Sequence, residues 1–345
     1  MPREINIAFI YTQLQRDIIL SLNIEDIIIV APKHREHLFH KNIKPILIET
    51  SDQNLTLKRS RALIRETNSK INSLTKNKQF TIWLASCDNP IGQIILNNKN
   101  CSKKILIEDG IGSYVKHAPL DANKGIRAFA RKVKYLLFLF PHYRSIYGIG
   151  SLKADHYFAI NPHAFPRSKN SNKTEVSKKY VDFLKKSLHN TKRPEIQQSQ
   201  ALYLDQPILR QGLSKHSLTN TLKSFLYEIE KNPNIKEYII KPHPTSTQGE
   251  INETLRIFQT LTDKKVGILN EDCSIEEIAI SDHFNPQIVF SFLSSGLYTI
   301  KTINPEINIK SLMHSEILKE RPYITKYCDA LKKIGVEVIT FREKD

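Results

Sequence analysis

Short apolar runs recur along this chain, each closed by polar or turn-forming residues and separated from the next by helical periodicity. In the first half they fall at residues 6–11, 26–31, 45–49, 80–85 and 104–107. Runs this short and this continuously apolar, alternating with helices, predict parallel strands covered on both faces. Around residues 166–173 the composition turns to Pro, Ser, Asn and Lys, a helix is predicted over 174–189, and a polar stretch with Pro194 and several glutamines follows. That region is the expected linker. A second series of apolar runs lies beyond it, at residues 201–204, 237–240, 266–269, 287–292, 307–310 and 336–341. The pattern predicts an α/β protein of two Rossmann-like domains, residues 1–190 and 197–345, whose parallel sheets face a central cleft. The last helix is expected to be free to pack back on the N-terminal domain.

The length of 345 residues agrees with two cores rather than one, and a hydrophobic fraction of 40% supplies both. A formal charge of +16 predicts attraction to something acidic: nucleic acid, an anionic membrane or a negatively charged substrate. Cys87, Cys101, Cys273 and Cys328 are scattered with no C-x-x-C, which fits a reducing compartment. No apolar stretch approaches the ~20 residues that span a bilayer. The chain enters a strand-like run at residue 5, so no signal peptide is predicted. A soluble or peripheral protein is expected.

The richest chemistry sits at predicted strand ends. Tyr238-Ile239-Ile240-Lys241 runs into Pro242-His243-Pro244, so a cation and an imidazole are presented one residue apart with little backbone freedom. That suits an anionic ligand, most simply a nucleotide phosphate; a turn with a capping histidine is the plainer alternative. Glu108 and Asp109 end another strand at Gly110, with Gly112 just beyond, placing carboxylates where an acceptor hydroxyl would need a base. A tight turn with solvated acids would look the same. Ser274 to Glu277 reads as a capping box, with ribose binding by Glu277 as the functional alternative. Ser294 and Ser295 open a helix, where hydroxyls and free amides make either an anion site or an ordinary cap. The loops Tyr11-Thr12-Gln13-Leu14-Gln15 and Ser86-Cys87-Asp88-Asn89-Pro90 carry the same ambiguity. No D-x-D pair occurs, so no metal is expected and no ligand set is predicted.

Two further stretches read less sharply. Arg127, Arg131, Lys132 and Lys134 precede an apolar run over 135–140, which suits a dip into an anionic membrane surface as well as a buried helix. His34, His37 and His40 sit among Lys and Arg and read as solvated surface.

In this order and spacing the motifs resemble the bacterial sialyltransferases of GT-B type. The match is nearest to the lipooligosaccharide enzymes of glycosyltransferase family 52 and is shared with the bacterial polysialyltransferases. The resemblance is carried by Tyr11 to Gln15, Leu84-Ala85-Ser86, Glu108 to Gly110, His156-Tyr157, Pro207, Pro242 to Pro244, Glu277 and Ser294. It implies inverting transfer of sialic acid from CMP-sialic acid to a hydroxyl of a cell-surface glycan, a galactose acceptor of lipooligosaccharide type, with no metal or other cofactor. His243 then binds the donor phosphate and serves as general acid. Ser294 and Ser295 hold the phosphate, Lys241, Pro244 and Gln206 the nucleotide, and Glu277 or Glu276 the ribose. Thr12, Gln13, Gln15, Ser86, Asn89 and Gly110 fall on the acceptor side.

The resemblance leaves the base open. Related families use the first carboxylate of the acidic-Asp-Gly motif, here Glu108. The lipooligosaccharide enzymes use a residue that follows a proline, a position occupied here by Ile208, so Glu108 leads and Asp109 and Asp205 stand behind it. The resemblance also implies an anionic glycan as partner, a cytoplasmic protein with room for peripheral contact at the inner membrane, and room for a homodimer. Transfer of Kdo or capsule polymerisation is the alternative; nucleic-acid binding, motivated only by charge, has no motif behind it.

Overall fold

The structure, a computed structural model, describes residues 4–39, 43–49, 57–85, 89–110, 112–114, 133, 154–166, 172–187, 194–269, 273–320 and 324–342. The chain divides into two units, Met1–Phe183 and Leu184–Asp345. The first carries strands β1 (Ile5–Phe9), β2 (Ile27–Pro32), β3 (Ile46–Ile48), β4 (Phe80–Leu84), β5 (Cys101–Ile107), β6 (His156–Ala159) and β7 (Lys173–Glu175). They form one seven-stranded parallel sheet in the order β3-β2-β1-β4-β5-β6-β7. Helices α1 (Gln13–Ser21), α2 (Leu57–Leu74) and α3 (Pro90–Leu96) belong to the same stretch of chain, and the division between the units falls within α4 (Ser177–Ser187).

Burial explains why these runs became strands. Every residue of β4, Phe-Thr-Ile-Trp-Leu, is buried, as a strand covered on both faces requires. The strand β7 departs from the sequence pattern, which places residue 173 in the polar stretch and residues 174–175 at the start of a helix. Thr174 and Glu175 are exposed there, and the strand is held through its backbone pairing with β6, Tyr157 opposite Lys173. An edge strand of three residues needs no apolar signature, and α4 accordingly begins at Ser177.

The second unit carries β8 (Gln200–Leu204), β9 (Glu237–Lys241), β10 (Lys265–Ile268), β11 (Ile288–Ser291), β12 (Ile309–His314) and β13 (Glu337–Phe341). They form a six-stranded parallel sheet in the order β10-β9-β8-β11-β12-β13. Its helices are α5 (Lys215–Ile229), α6 (Gln248–Leu261), α7 (Ile275–Ala279), α8 (Ser295–Ile303), α9 (Ser315–Glu320) and α10 (Ile324–Lys333). The core is aromatic: Tyr203 lies 5.1 Å from Phe258 and 5.2 Å from Phe290, and Phe225 lies 4.9 Å from Phe290, all tilted ring pairs. The last described helix, α10, buries Ile324 and Cys328 in this same core.

In each sheet the strand order reverses once, between β1 and β4 in the first unit and between β8 and β11 in the second. Those reversals leave crevices at the strands' carboxyl ends, where open α/β sheets bind ligands. Among the described residues no helix is long and apolar enough to cross a membrane. The basic and apolar stretch over 127–140 lies outside the described residues apart from Val133.

Candidate active site

The carboxyl ends of β1 and β5 bring the first cluster together. Thr12 takes extended backbone and its hydroxyl accepts from the Gln15 amide at 3.4 Å, which starts α1. The buried Gln15 side chain then works in both directions. Its Oε1 accepts from the Tyr11 amide at 2.7 Å, and its Nε2 donates to Asp109 Oδ1 at 2.5 Å. The Asp109 amide donates to Ser113 Oγ at 2.9 Å, so the turn after β5 is pinned on both sides of the carboxylate. Gly110 occupies φ 71, a backbone state that explains glycine here. Glu108 is 0% exposed, and its Oε2 accepts from the Ile160 amide at 2.8 Å, across to the chain leaving β6. Beside this cluster His34 meets the Tyr11 ring edge-on at 5.7 Å, and the Arg35 guanidinium lies 4.3 Å from the centre of that ring.

The second cluster forms where β8, β9 and β11 end. His243 follows β9 and is half-buried. Its Nδ1 lies 3.2 Å from the donating amide of Thr245 and 2.9 Å from the Thr245 hydroxyl. Burial holds its pKa below the ordinary histidine value, the Arg210 guanidinium adds to this, and Glu250 opposes it. Asp205, 5% exposed, ends β8 with its amide on the Lys241 carbonyl at 2.9 Å. Burial pushes its carboxyl up to about 6 against the pull of neighbouring hydrogen bonds. Gln206 turns its Nε2 back onto the Asp205 carbonyl at 2.9 Å.

The buried Ser294 caps α8, its hydroxyl accepting from the Gly296 amide at 3.1 Å, while Ser295 is exposed beside it. The capping box expected at α7 is present. The Ser274 amide donates to Glu277 Oε2 at 2.6 Å, and the Glu277 amide donates to Ser274 Oγ at 3.1 Å. Its neighbour Glu276 is raised above the ordinary glutamate value by burial, with Ser274 and Thr299 as hydrogen-bonding neighbours.

The structure thus gathers Gln15, Asp109 and Glu108 around one set of strand ends, with Thr12, Gln13 and Gly110 alongside. Asn89 caps α3, accepting from the Ile91 amide at 2.9 Å, and Ser86 lies outside the described residues. In the second unit Lys241, His243, Asp205 and Gln206 end adjacent strands, Pro244 is exposed on the His243 turn, and Ser294 and Glu276 sit on neighbouring helices. Sequence reasoning missed Arg210 and Thr245. Thr245 was within reach, since a hydroxyl residue two positions after a histidine in a turn is a ready partner for the ring. Arg210 was not, because its partners are Thr245 and Glu250, 35 and 40 residues away.

Solved structures with the same two-sheet architecture define the class. UDP-GlcNAc 2-epimerase from Methanocaldococcus jannaschii is 12% identical, with 99% of this chain and 89% of that chain covered and a TM-score of 0.56. UDP-GlcNAc 2-epimerase from Neisseria meningitidis bound to UDP-GlcNAc is also 12% identical, covering 98% and 88%, with a TM-score of 0.53. The glycotransferase of kitacinnamycin is 9% identical, covering 98% and 87%, with a TM-score of 0.52. The likeness is one of fold, and the fold is GT-B. No curated protein matches the sequence. The family is given by the sequence itself, which matches the alpha-2,8-polysialyltransferase family (POLYST) over residues 13–313. The chain belongs to that family and is a glycosyltransferase.

Proposed function

We propose that this protein transfers sialic acid from CMP-sialic acid, with inversion and without a metal, to a hydroxyl of an anionic cell-surface glycan. The observation that carries the reading is the His243 ring. Thr245 occupies Nδ1, and nothing among the described residues hydrogen-bonds Nε2, which leaves one ring nitrogen for a ligand at the end of β9. On this reading Nε2 meets the donor phosphate, with Ser294, Ser295 and Lys241 around the nucleotide and Glu276 or Glu277 at the ribose. As CMP leaves, charge builds on its phosphate while the sugar becomes oxocarbenium-like. A donor fixed in place stabilises that state more than the ground state, and a protonated ring goes further by giving up its proton.

Glu108 is the proposed base. The Ile160 amide holds one of its carboxylate oxygens, while Asp109, held by Gln15, shapes the acceptor side. The family match favours an acceptor that already ends in sialic acid over the galactose of a lipooligosaccharide, because the matching family is named for alpha-2,8 transfer. The net charge of +16 suits such a polyanionic acceptor. A cytoplasmic location with peripheral contact at the inner membrane goes with an acceptor carried on lipid. Mass spectrometry of products made on two acceptors tests the choice. A ladder of additions on an oligosialic primer is expected; a single addition confined to a galactose-terminated lipooligosaccharide would overturn it.

A further inference from the structure

Arg210 sits in the short 3₁₀ turn Leu209–Gln211 that follows β8, yet among the described residues its side chain hydrogen-bonds to the segment after β9. Its Nε and one terminal nitrogen donate to the two carboxylate oxygens of Glu250 at 2.6 and 2.8 Å, a bidentate fork. The same terminal nitrogen donates to the Thr245 carbonyl at 2.8 Å. Glu250 in turn accepts from the Thr247 amide at 2.7 Å and the Thr247 hydroxyl at 3.0 Å, closing the capping box that starts α6. The turn from Pro242 to Thr247 is therefore tied down at both Thr245 and Thr247. Thr245 is also the residue whose amide and hydroxyl hold the His243 ring.

We propose that Arg210 is a positioning residue for the transfer reaction: locked on Glu250, it fastens Thr245, and through Thr245 it fixes which way His243 presents Nε2. This rests on the reading that His243 faces the donor. The side chains of Arg210 and Glu250 are 49% and 31% exposed, and exposed ion pairs add little to folding. The fork's contribution is therefore geometric, and removing it leaves the fold standing while the turn loosens. A lysine keeps the charge but cannot span Glu250 and the Thr245 carbonyl in the same fork.

The charged groups whose fields reach His243 are Arg210, from the segment after β8, and Glu250, from α6. Lys241 ends β9 two residues before it, and Asp205 ends the neighbouring β8. Arg210 disfavours the charged ring and Glu250 favours it. Charge and geometry can therefore be separated with two variants.

The experiment measures kcat, donor KM and the pH profile for wild type, Arg210→Lys, Arg210→Met and His243→Ala, with thermal melting of each as the folding control. The proposal expects melting temperatures close to wild type, kcat down roughly tenfold or more in both Arg210 variants, and donor KM little changed. It also expects the pKa assigned to His243 to rise in Arg210→Met alone. A rise in donor KM with unchanged kcat would mean that Arg210 touches the donor directly, and would overturn the positioning role. Unchanged kcat in Arg210→Met would overturn it as well. If His243→Ala keeps wild-type kcat, the underlying reading of His243 fails and the role of Arg210 falls with it; a collapse in His243→Ala beside active Arg210 variants overturns the Arg210 proposal alone.

Discussion

Thr245 offers His243 two partners at one ring nitrogen, an amide 3.2 Å from Nδ1 and a hydroxyl 2.9 Å from it. A neutral ring accepts from the amide through the Nδ1 lone pair and keeps its proton on Nε2. A protonated ring donates from Nδ1 to the hydroxyl instead, and Nε2 still carries hydrogen. In either state the outward nitrogen is a donor. The arrangement suits a group that must meet an anion and hand on a proton without turning.

Removing the hydroxyl should act on only one of those states. Thr245→Val keeps the amide that serves the neutral ring and deletes the acceptor that serves the charged one. The His243 pKa, already lowered by burial, should fall further. An NMR titration of the His243 ring resonance checks this; an upward shift would mean that the hydroxyl donates to the neutral ring rather than accepting from the charged one.

Asp205 predicts an acid-side gain in stability. Its folded pKa of about 6 stands above the ordinary aspartate value of ~3.9, so the folded state holds the extra proton between those values. Stability from this group is fully present below the unfolded pKa and is lost as pH rises through 6, a swing of roughly 3 kcal/mol. Asp205→Asn should flatten the dependence of stability on pH between about 4 and 6 and raise the melting temperature at neutral pH. Urea unfolding at a series of pH values measures it.

Gly296 marks where three elements meet. A Cβ there would lie 2.9 Å from Ile275 Cγ2, 3.0 Å from Leu204 Cδ1 and 3.2 Å from Ser294 Oγ. Gly296→Ala should therefore push α7 and α8 away from the end of β8 and cost about 1–3 kcal/mol of stability. If the nucleotide binds there, CMP affinity falls with it, which titration calorimetry would report alongside the melting curve. An alanine variant that melts normally and binds CMP normally would show that the helices yield freely.

The two acids after β5 should respond differently to neutralisation. A glutamine at 108 can still accept from the Ile160 amide but cannot take a proton, so Glu108→Gln should fold and lose on the order of a hundredfold or more in turnover. Asp109→Asn keeps an acceptor for Gln15 and should lose far less. Steady-state rates on one acceptor decide between them, and the reverse order of losses would move the base to Asp109.

Much of this architecture was legible because parallel strands buried on both faces leave uninterrupted apolar runs. The runs at 80–85 and 237–240 became β4 (Phe80–Leu84) and β9 (Glu237–Lys241), and the S-x-x-E at Ser274 became the expected capping box. Where a strand is three residues long and largely exposed, as in β7, its side chains gave no apolar signal. The candidate site divides in the same way. Lys241, His243 and Ser294 sit at strand ends that local pattern marks, whereas the fork from Arg210 to Glu250 depends on α6 folding back beside the turn after β8, which no short window of sequence encodes.

The central claim is tested most directly by release of CMP from CMP-sialic acid in the presence of EDTA, comparing wild type with His243→Ala on an oligosialic primer. Acceptor-dependent release that survives EDTA and falls on the order of a hundredfold in the variant is the predicted result. No release by the wild type, or release that stops with EDTA, or equal release by His243→Ala, would contradict it.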